Sequence, residues 1–549
     1  MQNGFHPELI YINGDVVTLD PSRPQAEAVA IWGDKIAAVG SNDELKQMAG
    51  PETGIVDLAG RTLVPGLIEP HNHFILYGPM ALIRVDLSSP PMGRTRNIKE
   101  LLEALKEKAG ITPKGSWISG YGYDDTLLEE QRHPSRSELD QVSTDHPIFI
   151  SHTSMHMVTG NSLALSLAGI NRDSPSPEGG VIRKDPNTGE PDGLLEEAAQ
   201  MILYQALPTL TLEQRMALLA LGADHFLKVG VASLVDAGVA FPGRVGAQDI
   251  LLYQKAVGDG SLPIRISMMI EAGFLLNQCG GFLSGFGSER LRMGPAKIVA
   301  DGSIQGYTGW LTKPYHTPFK GDPDYRGYPV ISPEPLKAQV MELHKAGYQI
   351  AVHANGDATI DAAIEAFRLA QEAYPRQDTR HRIEHCQMVR EDQLDAIAEL
   401  GISPSFFVSH TYYWGDRHRA IFMGPERAAR ISPLKSALKR GIRFSIHSDC
   451  PVTPVSPLFC VNAAVNRKTS SGYVLGPEFR LTPEEALRAV TLDAAYQTFE
   501  ENLKGSIEKG KLADFTLLEQ NPLKVPPEEI KNIKVSEVII GGKQAYASK

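Results

Sequence analysis

The sequence predicts an α/β protein, a TIM-like (β/α)8 barrel with a small β-sandwich formed from the N- and C-terminal segments and an inserted subdomain. Short apolar runs alternate with helical patterns through the middle of the chain, which is typical of β/α units. Eight such runs can be counted, the number that closes a barrel. Both ends of the chain have a different sequence pattern, which predicts short strands separated by tight turns.

The N-terminal segment has the pattern of a small β unit. Between Leu9 and Gly40, turn signals such as Asn13-Gly14 and Gly33-Asp34 separate short apolar stretches. The segment after Gly505 has the same pattern. We therefore expect residues 1–62 and 500–549 to join into one sandwich and residues 63–499 to form the barrel.

The eight candidate strands follow one another along the central segment, with helical patterns between them. They cover residues 63–73, 232–236, 264–269, 297–301, 349–353, 382–385, 403–408 and 443–449. The stretch between the first and second runs is too long for one strand-helix step. We predict an insertion over about residues 82–210, which forms a lid or subdomain beside the end of the first strand.

Composition narrows the class of ligand. The chain has 549 residues, of which 42% are hydrophobic and 22% charged, with a net charge of -11, as in a large globular protein. This acidic balance, without long basic runs, argues against nucleic acid and anionic membranes and favours a small molecule. The first 20 residues lack a signal-peptide pattern and no apolar run is long enough to span a bilayer, so we expect a cytoplasmic protein. A homo-oligomer remains an open alternative.

The cysteines do not indicate a metal cluster or a disulfide framework. The chain has four, Cys279, Cys386, Cys450 and Cys460, and no two form a Cys-x-x-Cys pair. Cys386 and Cys450 each follow a candidate metal ligand, but we interpret both as small buried hydrophobes.

The strongest chemical signal is the pair His71 and His73 at the end of the first run. Alternate residues of a strand point the same way, so two imidazoles can share one metal ion. Alone the pair is weak, because 16 histidines in 549 residues give roughly 0.5 such pairs by chance. Further candidates lie on other runs, mostly at the C-terminal ends that meet at one face of a barrel. They are Lys297, which opens its run, and His353, His385 and Asp449.

Together these residues resemble the metal-dependent amidohydrolase superfamily, specifically the amidohydrolase 3 branch that includes N-substituted formamide deformylase. The likeness spans nearly the whole chain. It rests on residues 65–73, 297–302, 353–357, 380–387, 447–452 and 505–514, and on His156, Asn161 and residues 193–197 of the insertion.

The resemblance implies a ligand set. In two-metal members the histidines of strand one bind one ion, those of strands five and six bind a second, and a carboxylated lysine on strand four bridges them. By resemblance these are His71, His73, His353, His385 and Lys297, with Asp449 touching the metal and acting as general base. Zinc suits such nitrogen and oxygen donors, and the number of ions, one or two, stays open. Glu69 stands where the family commonly has Asp.

Structural roles compete with these assignments. Lys297 can form a buried salt bridge with Asp301, and Asp449 can cap a helix or turn. His156 is interpreted as a substrate-side residue of the insertion, although a structural histidine is about as probable a role.

Three more residues are substrate-binding candidates. His410 and Trp414 lie in the stretch after strand seven, where residues 410–414 can form an aromatic wall for an apolar group, with core packing an equal alternative. Arg382 can orient the substrate or pair with Glu384, and the spacing does not decide between them.

We predict hydrolysis of a C–N bond in a small amide, with an N-substituted formamide as one candidate substrate. A deaminase of the same superfamily is the nearest alternative; such enzymes usually use one metal and a Glu beside strand five, so Lys297 counts against it. A non-catalytic metal-binding barrel is the second alternative. A serine hydrolase is disfavoured because the chain has no Gly-x-Ser-x-Gly elbow.

Overall fold

A sheet of eight parallel strands lies at the centre of the computed structural model, which describes residues 6–241, 246–278 and 281–548. The strands neighbour one another in chain order. They are Leu67–Asn72, Val231–Val239, Arg265–Glu271, Leu291–Val299, Ile350–Ala354, Arg382–His385, Ser405–Phe406 and Ser445–Ile446, called barrel strands one to eight below. Between strands eight and one, Ser448 N donates to Glu69 Oε1 at 3.0 Å and His73 N donates to the Cys450 carbonyl at 2.7 Å. The sheet is thus nearly closed, and the predicted fold class is confirmed.

Helices with one apolar face cover the outside of the barrel. In Asp357–Ala373, for example, Ile360, Ile364 and Phe367 recur at helical spacing and are buried. The helices of this layer and its loops are Phe74–Tyr77, Leu212–Lys228, Ala247–Gly258, Ala272–Gln278, Pro333–Lys345, Asp357–Ala373, Glu391–Glu399, His410–Tyr413, Gly415–Arg417, Gly424–Ala429, Leu434–Lys439, Pro457–Asn466, Pro483–Ala489 and Leu492–Tyr496.

Two predicted strand boundaries are wrong. The run 63–73 is two strands, because Thr62–Pro65 belongs to a terminal sheet and the barrel strand begins at Leu67. Gly66 separates them where the backbone passes Ala232 so closely that an added Cβ would lie 2.7 Å from its methyl group. Strand four begins at Leu291 rather than at Lys297, since Gly294 and Pro295 interrupt the apolar pattern inside it. Lys297 therefore lies near the C-terminal end of its strand.

The insertion between barrel strands one and two has a sheet of its own. In sheet order its strands are Gly180–Lys184, Pro191–Glu197, Met157–Gly160, Ile148–His152, Ile118–Tyr123 and Val85–Asp86. Its helices are Ile98–Ile111, Arg136–Asp140, Ser162–Leu167 and Gln200–Gln205. Leu101, Ile118 and Ile150 are fully buried in a separate core there. The insertion is thus an α/β unit with its own hydrophobic centre.

The two ends of the chain share a pair of sheets. One contains, in sheet order, Lys35–Gly40, Ala28–Trp32, Leu9–Ile12 and Gly54–Asp57, next to helix Asn42–Lys46. The other contains Lys543–Ala547, Val535–Ile540, Phe515–Leu518, Thr62–Pro65, Asp15–Val17 and Gln25–Ala26. Val29 from the first and Phe515 from the second lie in one apolar core, which makes the pair a sandwich.

Two sequence predictions concern membranes and cysteines. Among the described residues, no helix combines the length and the apolar character needed to cross a bilayer. Cys386, Cys450 and Cys460 are buried free thiols, and Cys279 lies outside the described residues.

Candidate active site

The predicted ligands converge at the C-terminal end of the barrel. His71 is on strand one and His73 follows it, Lys297 is on strand four, His353 on strand five, His385 ends strand six, and Asp449 follows strand eight. Ligand atoms of His71, His385 and Asp449 lie within 4.8 Å of one another. The structure therefore brings together residues that are far apart in the sequence.

His71 is oriented by a buried ion pair behind it. Its Nδ1 lies 2.5 Å from Glu384 Oε2, and Glu384 in turn accepts hydrogen bonds from Arg382 at 2.6 and 3.0 Å. All three side chains are buried. Because a carboxylate only accepts, the Nδ1 of His71 carries the proton, which leaves its Nε2 as a lone-pair donor. That Nε2 lies 3.4 Å from Asp449 Oδ1.

The second histidine pair brings two ring nitrogens together. His385 Nε2 lies 3.0 Å from His353 Nδ1. His353 Nε2 lies 3.3 Å from the Gly302 carbonyl, an acceptor, and 3.0 Å from Asn355 Nδ2, a donor, so these neighbours are compatible with the ring proton on either nitrogen. Burial lowers the pKa of both imidazoles well below the ordinary value, with His156 and His353 adding to the effect. Both rings are thus neutral at neutral pH.

A buried hydrogen-bond chain assigns the proton of His385. Its Nδ1 lies 3.2 Å from His447 Nε2, and His447 Nδ1 lies 2.9 Å from Ser405 Oγ. The Ser445 hydroxyl lies 2.9 Å from Ser405 Oγ and 2.6 Å from Gln497 Oε1.

The direction of each bond in this series of hydrogen bonds follows from the number of protons available. Gln497 Oε1 only accepts, so it takes the single Ser445 proton, and the Ser405 proton then goes to the Ser445 oxygen. Ser405 accordingly accepts from His447 Nδ1, and His447 Nε2 accepts from His385 Nδ1. His385 Nε2 is therefore bare and faces His353.

Asp449 completes the cluster. Its Oδ1 lies 3.4 Å from Nε2 of both His71 and His73 but is buried without a hydrogen-bond partner in the part of the chain that the structure describes. Asp449 and His385 both hold left-handed backbone, with φ of 56° and 66°. Such conformations are unfavourable for residues with side chains and are concentrated at functional sites.

Lys297 faces the same point. It is buried, and its Nζ lies 3.4 Å from His71 Nε2. Burial lowers its pKa to about 8. The alternative partner Asp301 is occupied elsewhere, because its carboxylate accepts from the Asn355 and Gly356 amides at 3.0 and 2.8 Å. Lys297 is thus free of the salt bridge that the sequence left open.

The donor set fits a divalent metal ion. Ring nitrogens of His353 and His385 lie 3.0 Å apart, and with the His353 proton on Nε2 both present lone pairs that one cation can bind. The orphaned Asp449 oxygen lies beside the bare Nε2 of His71. Imidazole and carboxylate donors without thiolate suit zinc and similar ions.

The insertion adds a second dyad to the site. His156 Nδ1 lies 2.7 Å from Glu197 Oε2, and the His156 ring makes an edge contact with His353, with centroids 5.3 Å apart. Although burial alone would lower the pKa of His156, the Glu197 carboxylate raises it. His156 thus faces the predicted metal centre, as a substrate-side residue would.

A cavity of about 440 Å³ opens over the cluster. His73, Lys297, His353, His385 and Asp449 form one end of it. The remainder is largely apolar, with Met155, Met201, Val299, Val330, Ile331 and Val452 in the wall and Gln200, Gln339 and Glu271 among the polar residues. The shape suits a small molecule with one apolar end and one polar end.

Three predicted substrate-binding residues do not line this cavity. Arg382 is fully buried and binds Glu384 and the Pro70 carbonyl. Trp414 is fully buried, and its indole donates to Asp124 at 3.0 Å. His410 packs edge-on against Phe407 and faces His418 at 2.9 Å. His410 and Trp414 therefore take the core-packing alternative, and methionine and branched side chains line the cavity.

Sequence reasoning missed two positioning residues. Glu384 was considered only as a partner of Arg382, yet it also holds His71. A signal was present, since Arg382 and Glu384 are two apart on a strand and so share a face. His447 also went unassigned, and its neighbours in the hydrogen-bond chain, Ser405 and Gln497, come from distant parts of the sequence.

The sequence was compared with protein families and with known proteins. The sequence profile of the amidohydrolase family Amidohydro_3 matches residues 54–546. The chain belongs to this amidohydrolase family. The N-substituted formamide deformylase of Arthrobacter pascens is 30% identical over 98% of each chain. Protein LONG AFTER FAR-RED 3 of Arabidopsis thaliana is 31% identical over 99% of this chain and 92% of its own.

A solved structure agrees with the fold of this amidohydrolase. An uncharacterized metal-dependent hydrolase from Pyrococcus horikoshii OT3 superimposes with a TM-score of 0.74 at 25% identity, covering 94% of this chain and 99% of the other. The protein is thus a metal-dependent hydrolase that acts on C–N bonds.

Proposed function

We propose that this amidohydrolase cleaves a small N-substituted formamide to formate and an amine. The observation that carries the proposal is the cavity itself, whose lining combines the cluster of imidazoles and Asp449 with a wall that is largely apolar. A formamide places its small acyl group at the polar end and its N-substituent against the apolar wall. The formamide deformylase of Arthrobacter pascens, similar over the full length, supports this substrate class.

The cofactor we propose is zinc, as two ions. His71, His73 and Asp449 would hold one, His353 and His385 the other, and Lys297, carboxylated on Nζ, would bridge them. Lys297 suits that modification because its nitrogen is buried, has a pKa of about 8 and lies 3.4 Å from His71 Nε2. When bound, a divalent cation acidifies a water molecule and polarises the amide carbonyl.

The protein's own groups supply the proton transfers. The Asp449 carboxylate takes the proton of the attacking water and gives it to the nitrogen of the leaving amine, because its buried Oδ1 has no other partner among the described residues. His156, held by Glu197 and in edge contact with His353, lines the same cavity as Asp449 and can hydrogen-bond to the substrate oxygen or acyl group. Met155, Met201 and Ile331 exclude water from the N-substituent.

A substrate panel tests the proposal. Zinc-loaded enzyme is incubated with formamides that differ only in the N-substituent, and with acyl amides, cyclic amides and carbamates, while released formate and amine are measured. We expect kcat/KM to rise with the apolar area of the N-substituent, and dialysis against a chelator to abolish turnover until zinc is restored. Preferential turnover of a cyclic amide or carbamate, deamination, or activity that survives complete metal removal would each refute the assignment.

A further inference from the structure

A second group of metal-ligating side chains lies in the insertion, apart from the site described above. His152 ends one strand of the inserted sheet, Asp125 follows another, and His133 lies in the loop beyond it. His152 Nε2 is 3.1 Å from Asp125 Oδ1, and His133 Nε2 is 3.6 Å from Asp125 Oδ2. The two imidazoles therefore flank the two oxygens of one carboxylate.

This group resembles the His71, His73 and Asp449 trio in composition and ring arrangement, although its two imidazoles face different oxygens of Asp125. In each case two imidazole rings lie edge to face with centroids 5.7 Å apart, at 66° in the insertion and 81° in the barrel. The nitrogen-to-oxygen distances are 3.1 and 3.6 Å in the insertion and 3.4 Å twice in the barrel. Donor atoms about 3.4 Å apart are what a tetrahedral ion with bonds of about 2.1 Å requires.

The other ring nitrogens already have oxygen partners. His152 Nδ1 lies 2.8 Å from Ser154 Oγ, and His133 Nδ1 lies 3.1 Å from the Tyr123 hydroxyl. Rings that donate from Nδ1 to these oxygens present bare Nε2 atoms to the group, as zinc-binding histidines do.

The orphaned atoms point to a ligand. The His152 side chain is fully buried, yet its Nε2 and Asp125 Oδ1, 3.1 Å apart, make no hydrogen bond with any described residue outside the group. Two polar atoms that lie side by side without such a bond are arranged like ligands of a shared ion.

One competing arrangement uses the same atoms. The Ser154 amide lies 3.2 Å from His152 Nδ1, and if it donates there the ring proton moves to Nε2. His152 and Asp125 would then form an ordinary hydrogen-bonded pair with no ion. The two arrangements differ in whether the chain binds metal at this point, which is directly measurable.

Access and charge are compatible with an ion. The side chains of His133 and Asp125 are 17% and 19% exposed, so the group can be reached from solvent. The neighbouring Asp124 is not available as a ligand, because it binds the Arg417 guanidinium at 2.6 Å and the Trp414 indole at 3.0 Å. Asp124 instead ties the insertion to the barrel next to this group.

We propose that His133, His152 and Asp125 bind a zinc ion that stabilises the insertion, with water as the fourth ligand. The ion would fix the segment that carries His156, because Ser154 Oγ contacts His152 and also accepts from the His156 amide at 3.2 Å. This site is separate from the catalytic cluster and does not depend on the substrate proposed above.

The first test locates metal directly. Crystals of the full chain grown with zinc are measured on both sides of the zinc absorption edge. We expect an anomalous peak between the three side chains of the insertion, in addition to any peak at the barrel cluster. Peaks at the barrel alone would overturn this inference and leave the proposed function intact. A peak at the insertion alone would support this inference and contradict the zinc site proposed in the barrel.

The second test counts metal in variants. The double variant His133→Gln and His152→Gln should bind about one zinc ion per chain fewer than the unchanged protein after gel filtration. His146→Gln is the matched control, since His146 is a buried histidine of the same insertion that contacts the Ser116 carbonyl. If the double variant does not fold, Asp125→Asn replaces it in a zinc-competition titration with a chromophoric chelator. Zinc content and affinity equal to those of the control in every variant would overturn the proposal.

Discussion

Replacing Glu384 by glutamine should weaken metal binding without changing any predicted ligand. Glutamine has nearly the same shape, but only its oxygen accepts hydrogen bonds. Arg382, which is fully buried, donates to Glu384 Oε1 at 2.6 Å and to Oε2 at 3.0 Å, and we expect the glutamine oxygen to keep the shorter of these bonds. The amide nitrogen would then face His71 Nδ1 and donate to it, which moves the imidazole proton to Nε2. A protonated Nε2 cannot bind a metal ion.

Two quantities should fall in Glu384→Gln, the affinity for zinc and the stability of the fold. Changing the group that orients a ligating histidine typically lowers metal affinity about 10- to 100-fold. Removing the charged partner of a buried arginine costs about 3 to 5 kcal/mol in stability, and Arg382 keeps only neutral acceptors, the glutamine oxygen and the Pro70 carbonyl at 2.9 Å. We therefore expect Glu384→Gln to show weaker zinc affinity in a chelator-competition titration and a lower melting temperature without metal.

Asp514→Asn provides the matched control. Asp514 pairs with Arg265 at 2.6 and 2.9 Å, and both side chains are buried, as are those of Glu384 and Arg382. This pair makes no contact with the predicted ligands, so its loss should lower stability but leave zinc affinity unchanged. Equal zinc affinity of Glu384→Gln and the unchanged chain, or an equal loss in Asp514→Asn, would refute the reasoning.

Three further predictions concern other parts of the site. Lys297→Ala removes the proposed bridge, and elemental analysis should show fewer metal ions together with loss of turnover; an unmodified lysine mass in a fully active unchanged enzyme would contradict the bridge. Asp449→Asn cannot accept a proton, so steady-state kinetics should show kcat lowered about 10²-fold or more with metal retained, and near-normal turnover would exclude the role. Met201→Trp narrows the apolar wall, so KM for bulky N-substituted formamides should rise about 10-fold relative to small ones; an equal change for both would place Met201 outside the substrate pocket.

The barrel was predictable because its topology converts sequence order into position. Polar residues at the C-terminal ends of parallel strands must converge, whatever their separation in the chain. The strand boundaries were harder to predict. Gly66 and the pair Gly294-Pro295 are both breaker signals, yet the first ends a strand while the second lies inside one. Only tertiary contacts, such as the close approach of Gly66 to Ala232, decide between these outcomes.

The orientation of side chains in loops was not predictable. The positions of His71, His353 and His385 follow from strands, where neighbours and periodicity constrain direction. Trp414 lies in a short helical turn after strand seven, and its direction depends on Asp124, which is 290 positions away. For the same reason the cavity wall, which includes Met155 and Met201 from the insertion, could not be assigned from local pattern.

The buried charges around the barrel cluster link the number of bound metal ions to whether Lys297 is charged, neutral or carboxylated. Arg382 and Glu384 neutralise each other, while Asp449 faces imidazoles that burial keeps neutral. A buried carboxylate without a cation is costly, so the cluster requires positive charge. An ammonium on Lys297 would supply one positive charge without metal, but it would repel a dication bound by His71, whose Nε2 lies 3.4 Å from the lysine nitrogen. Carboxylation would turn that repulsion into attraction. A metal-loaded cluster therefore requires Lys297 either uncharged beside one ion or carboxylated beside two, and its lowered pKa of about 8 favours loss of the ammonium charge.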